Sequence, residues 1–221
     1  MNLPLLSLLE ARVLGVLVEK QCTVPDTYPL TLNALVAGCT QKTSRDPVID
    51  ATAAEVQAVV DRLRQLSLVV ESSGGRAMRY AQNVGRVLAL PTESVALVAT
   101  LMLRGPQTAA EIRLNAERLH RFADVSSVEA YLAQLADREA GALVVQLQRA
   151  PGSREARWAH LLSGTPAQPA QAADGSSIDP GQAVGAGEIA ALKSNVDALS
   201  REVAELREAL ARVMDELGVK R

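Results

Sequence analysis

Apolar positions recur at helical spacing through three segments and then alternate at strand spacing through two, and this order occurs twice, over residues 7–82 and 92–162. In the first copy Leu6, Leu9, Val13, Val16 and Leu17 share one stripe of a helix starting at Ser7. There Ser7 and Glu10 form an S-x-x-E capping box, which satisfies two orphan amide donors reciprocally. A second helix is predicted over residues 29–41, with Leu30, Leu32, Leu35 and Val36 inward and Pro29 in its first turn, where no donor is lost. Thr52 and Glu55 cap a third, whose Val56, Val59, Val60, Leu63 and Leu66 face the core. Two strands, 68–71 and 77–81, then flank Ser72-Ser73-Gly74-Gly75, where glycine supplies the positive φ of a hairpin turn.

The second copy follows the same plan. Residues 92–104 read as a helix broken by Gly105-Pro106; Thr108 and Glu111 cap a helix running to about His120; Ser126 and Glu129 cap a third with Val128, Tyr131, Leu132 and Leu135 inward. Strands 143–147 and 156–161 flank a turn containing Pro151-Gly152. Three helices followed by a β-hairpin is the order of a winged helix, a helix-turn-helix fold with a hairpin wing. The expected fold class is therefore mainly α with small β-hairpin wings (α+β): winged-helix domains over residues 1–88 and 89–164.

From residue 165 to 187 the chain is Ala, Gly, Pro, Gln and Ser with hardly a large apolar side chain, a composition that cannot offset the entropy of ordering. It reads as a disordered linker with an r.m.s. span of roughly 25 to 30 Å. Beyond it Ile189, Leu192, Val196, Leu199, Val203, Leu206, Leu210, Val213 and Leu217 repeat at 3-4 spacing, predicting a coiled-coil helix over 188–218. β-branched a positions with Leu at d favour a parallel homodimer through 189–217. The competing reading is one amphipathic helix lying on its own globular body, but an a/d-only stripe is narrower than such a helix usually shows.

Composition narrows the chemistry. The 221 residues carry a net charge of -2, and the halves are near neutral: residues 1–90 hold 9 Lys+Arg against 8 Asp+Glu, and residues 91–164 hold 8 against 8. Binding that neutralises many phosphates usually draws on a stronger field, so any nucleic-acid contact must be local. Aromatics at 2% leave too few rings for a single-strand stacking platform. Cys22 and Cys39, with His120 and His160, show no zinc-ligand spacing. Both cysteines read as small reduced core residues, His120 as the end of a helix, and His160 as an edge or surface position. No phosphate-loop, dinucleotide-binding or nucleophile-elbow motif is present, so neither enzyme activity nor a cofactor is expected. The N-terminus lacks a signal-like segment, and the longest apolar stretch, near residues 95–103, is far short of the ~20 residues of a spanning helix. A cytoplasmic location with no membrane contact is expected.

The stretches LLEARVLGVLVEKQ (8–21), PDTYPLTLNALVAGCTQKTSRDPV (25–48), LRGPQTAAEIRLNAERLHRFAD (103–124) and SREARWAHLLSG (153–164) resemble the YceH-like family of uncharacterised bacterial proteins. The resemblance covers residues 5–164 and implies a tandem winged-helix fold, with no catalytic or ligand-binding residues to carry over.

In such folds the start of the third helix reads base edges with Arg, Lys, Asn or Gln. Here it offers Asp50, Thr52, Glu55 and Gln57 in one copy and Ser126, Ser127, Glu129 and Gln134 in the other, and the carboxylates repel phosphate. Cations collect instead at the wings and nearby loops: Lys42, Arg45, Arg76, Arg79, Arg149, Arg154 and Arg157, with Arg113, Arg118 and Arg121 on the second copy's middle helix. One reading is double-stranded DNA binding led by the wings, as in a transcriptional regulator, with arginines holding the phosphate backbone. The bland reading of these charges is solvated surface balanced by Glu111, Glu117 and Glu155. The functional rival is a protein-protein adaptor built on tandem winged helices, which the near-zero charge and acidic third helices favour.

Overall fold

Helix α1 (Leu8–Thr23) is the axis of the structure, and a single stripe does not describe it: every residue from Glu10 to Val18 is buried. In the computed structural model, which describes residues 4–73, 77–149 and 155–165, both halves pack around this helix. The remaining elements of the first half are β1 (Leu30–Thr31), α2 (Leu32–Cys39), α3 (Ala53–Gln65), β2 (Val69–Ser73) and β3 (Met78–Gln82). A short helix α4 (Val84–Val87) leads to α5 (Thr92–Arg104), α6 (Ala109–Ala116), α7 (Val125–Ala136), β4 (Val144–Gln146) and β5 (Trp158–His160). The architecture is α+β, with small antiparallel sheets.

The first sheet has the order β1-β3-β2, with Leu30 opposite Tyr80 and Glu71 also opposite Tyr80 from the other side. The second pairs β4 with β5, Val145 opposite Ala159. Its counterpart to β1 is reduced to one residue: Gln107 bridges Trp158, exchanging hydrogen bonds of 3.0 and 2.7 Å. The internal repeat therefore extends to a feature with no hydrophobic alternation to announce it.

Three expected capping boxes form, at Ser7/Glu10, Thr52/Glu55 and Thr108/Glu111. The fourth is displaced. Asp124, not Ser126, is the N-cap of α7, and Ser127 completes the box, so the helix starts at Val125. The second helix is also shorter than expected: residues 30–31 pair with β3, and Thr31 then caps a helix beginning at Leu32 and ending at Cys39. Likewise α6 ends at Ala116 rather than near His120, whose ring instead meets Phe122 edge-on at 4.7 Å. The strands lie within two residues of their predicted positions, with β2 and β3 each shifted toward higher numbers and β4 and β5 trimmed at both ends.

One hydrophobic core runs through both expected domains. It joins Val13, Leu14, Leu17, Leu35, Val60 and Leu63 of the first to Leu97, Leu101, Ile112, Leu132 and Leu135 of the second. The contact that makes it continuous is α1 on α5. A side chain cannot stand at Gly15, because a Cβ there would lie 2.8 Å from Leu103 Cγ and 2.9 Å from its Cδ2. Gly38 does the same for α2 against α1, where a Cβ would meet Val16 Cγ1 at 2.6 Å. The expected coiled coil at 188–218, the homodimer through it, and all but the first residue of the 165–187 linker lie outside the described residues.

A shared core predicts shared unfolding. Urea denaturation followed by circular dichroism is expected to show residues 4–165 melting in a single transition, and Gly15→Val is expected to lower stability by about 2 kcal/mol through overpacking. Two resolved transitions, or a neutral Gly15→Val, would mean that the α1–α5 contact does not bind the halves together.

Candidate nucleic-acid interface

Helix α2 ends with carbonyls that no intrahelical donor reaches, and two arginines answer them. Arg45 Nε donates to Gly38 O at 3.2 Å, and Arg12 Nη1 donates to Cys39 O at 3.2 Å. Arg12 also donates through Nη2 to Pro47 O, which ties both ends of the 40–47 loop to α1. Cations at the negative end of a helix dipole are favourably placed. Arg12 is wholly buried, although a charged residue inside an apolar run gives no sequence signal of that role.

The Arg45 guanidinium meets Glu19 with both arms, Nη1 to Oε1 at 3.1 Å and Nη2 to Oε2 at 2.6 Å, and its side chain has no exposed surface. Burial would raise the Glu19 carboxyl, but Arg45's hydrogen bonds and charge, with Lys20, outweigh it and hold the group below the ordinary carboxylate range. Arg45, expected to contact phosphate, is thus a strut inside the fold.

The other expected contact residues divide. Arg79 on β3 donates to Pro29 O at 2.8 Å and Thr27 O at 3.2 Å, fastening the turn before β1 to the sheet. Arg157 is exposed, yet it donates to Pro106 O at 3.0 Å and pairs with Glu111 at 3.5 Å. Lys42 and Arg149 are exposed, and among the described residues neither has an ion pair or side-chain hydrogen bond. Arg76 and Arg154 lie outside the described residues. Of the arginines expected on the second copy's middle helix, Arg113 lies on α6 and donates to Ala123 O at 3.3 Å, whereas Arg121 lies beyond its end at Ala116 and pairs loosely with Glu117 at 3.9 Å.

The outer faces of α3 and α7 start with small and acidic residues, while Arg62, Arg64 and Gln65 are exposed toward the end of α3, the two arginines paired with Glu10 and Glu71. Ala53, Ala54, Glu55, Ala58 and Asp61 are exposed on α3; Ser126, Glu129, Ala130, Ala133 and Gln134 are exposed on α7. Gln57, the one amide near the start of α3, is engaged on both atoms, accepting from Tyr80 Oη at 3.1 Å and donating to Asp61 at 3.0 Å.

The remaining candidate chemistry is quiet. Cys39 is buried and its thiol pushed up to about 12 by desolvation, as befits a core residue, whereas Cys22 is exposed and does not serve as one. His160 is half-buried on β5 rather than at the surface, and desolvation lowers it to about 4. Its Nδ1 is buried with no hydrogen-bond partner among the described residues. No group of three or more His, Cys, Asp or Glu residues among the described ones could hold a metal ion. No described helix is long and apolar enough to cross a membrane.

Two predictions separate struts from surface. Arg45→Ala leaves the half-buried Glu19 with Lys20 as its one remaining ion-pair partner among the described residues and is expected to cost about 2 to 3 kcal/mol in urea denaturation, while Arg149→Ala stays within about 0.5 kcal/mol of the parent. His160 is held neutral in the folded state, so the unfolded chain binds its proton first as pH falls below 6.5. The His160 contribution to stability is therefore expected to be lost between pH 6.5 and about 4 and to be spent below that, where carboxylates held low, such as Glu19, begin to release theirs. The loss should be smaller in His160→Gln, and equal pH profiles for the two proteins would refute the assignment.

Among known proteins, residues 6–153 match the family model described as "Protein of unknown function, DUF480". The chain is 58% identical over 207 residues to a UPF0502 protein of Dechloromonas aromatica (strain RCB), covering 94% of this chain and 95% of the relative. It is 55% identical over 210 residues to a UPF0502 protein of Leptothrix cholodnii, covering 95% of this chain and 94% of the relative. A similar protein from Methylibium petroleiphilum is 58% identical over 217 residues, 98% of this chain and 92% of its own. With matches that span the shared core and run nearly the full length of each partner, the chain belongs to the DUF480, or UPF0502, family of bacterial proteins.

Proposed function

We propose that this is a tandem winged-helix protein that binds double-stranded DNA locally, through its wings and the loop before α3, as a cytoplasmic regulator. Support for the winged-helix reading is the order helix, strand, two helices and hairpin in the first half, echoed in the second by the Gln107–Trp158 bridge. It is also the fold that the YceH-like resemblance implies. The observation that carries the DNA reading is the freedom of Lys42 and Arg149: they are exposed, cationic and unpartnered among the described residues. Arg76 and Arg154, in the hairpin turns of the sequence, complete the proposed contact set, while Arg45 and Arg79 leave it because their guanidinium groups hold the fold. Such contacts position a protein on the phosphate backbone without reading bases. A coiled-coil homodimer would raise avidity by presenting two weak sites together.

A second reading draws on the first turns of α3 and α7, whose exposed positions present small residues and carboxylates where a DNA reader presents amides and guanidiniums. On that reading the tandem fold is a protein-protein adaptor.

Fluorescence-anisotropy titration of a duplex at low and moderate salt tests the choice. The intact protein is expected to bind with an affinity that falls as salt rises. Lys42→Ala, Arg76→Ala, Arg149→Ala and Arg154→Ala together should weaken binding and flatten the log-log salt slope by about 3 to 4, from about 0.9 per lost phosphate contact. Absence of binding at low salt would retire the DNA reading and leave the adaptor, to be pursued by partner capture.

A further inference from the structure

The C-terminal ends of α1 and α5 come together beside the 41–44 loop and the end of α6, leaving a cleft of about 190 Å³. Its walls come from both halves of the chain: Lys20 and Ser44 from the first, Arg104, Asn115 and Arg118 from the second. An adjoining cavity of about 310 Å³ shares Ser44, Arg104 and Asn115 with it.

Arg104 is the unusual member. It is half-buried, and desolvation together with nearby Arg45 lowers its affinity for a proton against the opposing pull of Glu19. Even so, among the described residues its guanidinium has neither an ion pair nor a hydrogen bond. A partly desolvated cation ordinarily finds a partner. The nearest acid is already spent, because both Glu19 oxygens are held by Arg45 and one also by Lys20 at 3.3 Å. Arg118 is exposed at the cleft and likewise unpartnered among the described residues. Lys20, Arg104 and Arg118, with Arg45 behind, therefore outnumber the one carboxylate of this cleft, Glu19. The adjoining cavity adds Asp46 and Glu111, of which Glu111 is occupied by the Thr108 amide and by Arg157.

Ser44 supplies a second, independent observation. Its φ of 59° lies in the left-handed region, an uncommon place for a serine, and its own carbonyl is held by Arg45 at 2.8 Å. Non-glycine residues kept in that region concentrate where a loop must present a group in a fixed place. The residue so held lines both cavities.

We propose that this cleft binds a small molecule through a phosphoryl group, with Arg104 as the anchoring fork, Lys20 and Arg118 as flanking cations and the Ser44 hydroxyl as a further donor. Guanidinium groups suit phosphate because their parallel N–H donors match its oxygens. A recessed space of this size admits a phosphoryl group with a few attached atoms and excludes a duplex. The ligand would touch both halves at once, and its site is independent of the proposed DNA contacts, none of which lines the cleft.

Isothermal titration of the full chain with inorganic pyrophosphate, at constant ionic strength set with chloride, tests the assignment. Saturable binding at one site per chain is expected, weakened about tenfold or more in Arg104→Gln, severalfold in Arg118→Gln, and unchanged in Arg149→Gln. Circular dichroism checks each variant; should Arg104→Gln fail to fold, the exposed Arg118→Gln decides. No saturable binding by the intact protein overturns the proposal, and so does binding that Arg149→Gln weakens as much as the cleft variants do. Duplex binding that depends on Arg104 while pyrophosphate does not bind would assign the cleft to nucleic acid and equally overturn it.

Discussion

The approach of α1 to α5, made possible by the missing side chain at Gly15, is the constraint on which the rest of the structure depends. Each half alone would leave one flank of an apolar helix facing water. Placed together, they enclose α1 almost completely, and Val13, Val16 and Leu17 have no exposed surface. Full burial of such side chains is worth roughly 1.5 to 3 kcal/mol each, so a helix buried on every side contributes far more than its 16 residues would as a surface helix. The same proximity brings the ends of α1 and α5 together and so creates the cleft lined by Arg104.

Enclosing α1 has an electrostatic cost. Glu10 and Arg12 lie within the buried stretch, and each is reconciled differently. Glu10 closes the capping box with Ser7 and takes Arg62 of α3 at 3.0 Å, so one carboxylate caps its own helix and ties it to another. Arg12 has no ion pair among the described residues, and the carbonyl ends of α2 and the following loop serve in its place. The pairing of Arg45 with Glu19 completes the set. The 40–47 loop, polar and basic in sequence, is thereby made part of the scaffold.

Local rules were legible wherever the signal was local. Ser7/Glu10, Thr52/Glu55 and Thr108/Glu111 each satisfy the reciprocal geometry within four residues, and all three form. At the start of α7 two phrases obey the same rule, and Asp124-x-x-Ser127 prevails; the burial of Phe122 two residues earlier is a tertiary fact that spacing does not carry. The two-residue strand at Leu30 and the single bridge at Gln107 were too short for alternation to show. For the arginines, composition gave their number but not their partners. Arg45 and Arg79 reach backbone carbonyls that become available only when the chain folds, so a count of basic residues near the two hairpins overstated the free positive surface. Arg104, half-buried yet without an ion pair or hydrogen bond among the described residues, closes an apolar helix, where its sequence context carries no sign of that isolation.

The two ends of this shared core are themselves joined. Leu6 N donates to Leu162 O at 2.8 Å, and Leu162 is buried. The chain therefore enters and leaves the compact unit at one point. Tension applied between residues 6 and 162 would load that hydrogen bond and its apolar surroundings first, before either sheet or the α1–α5 contact is strained. A polypeptide with this topology can be spliced into a surface loop of another protein without stretching its host, because it returns the chain to where it took it up.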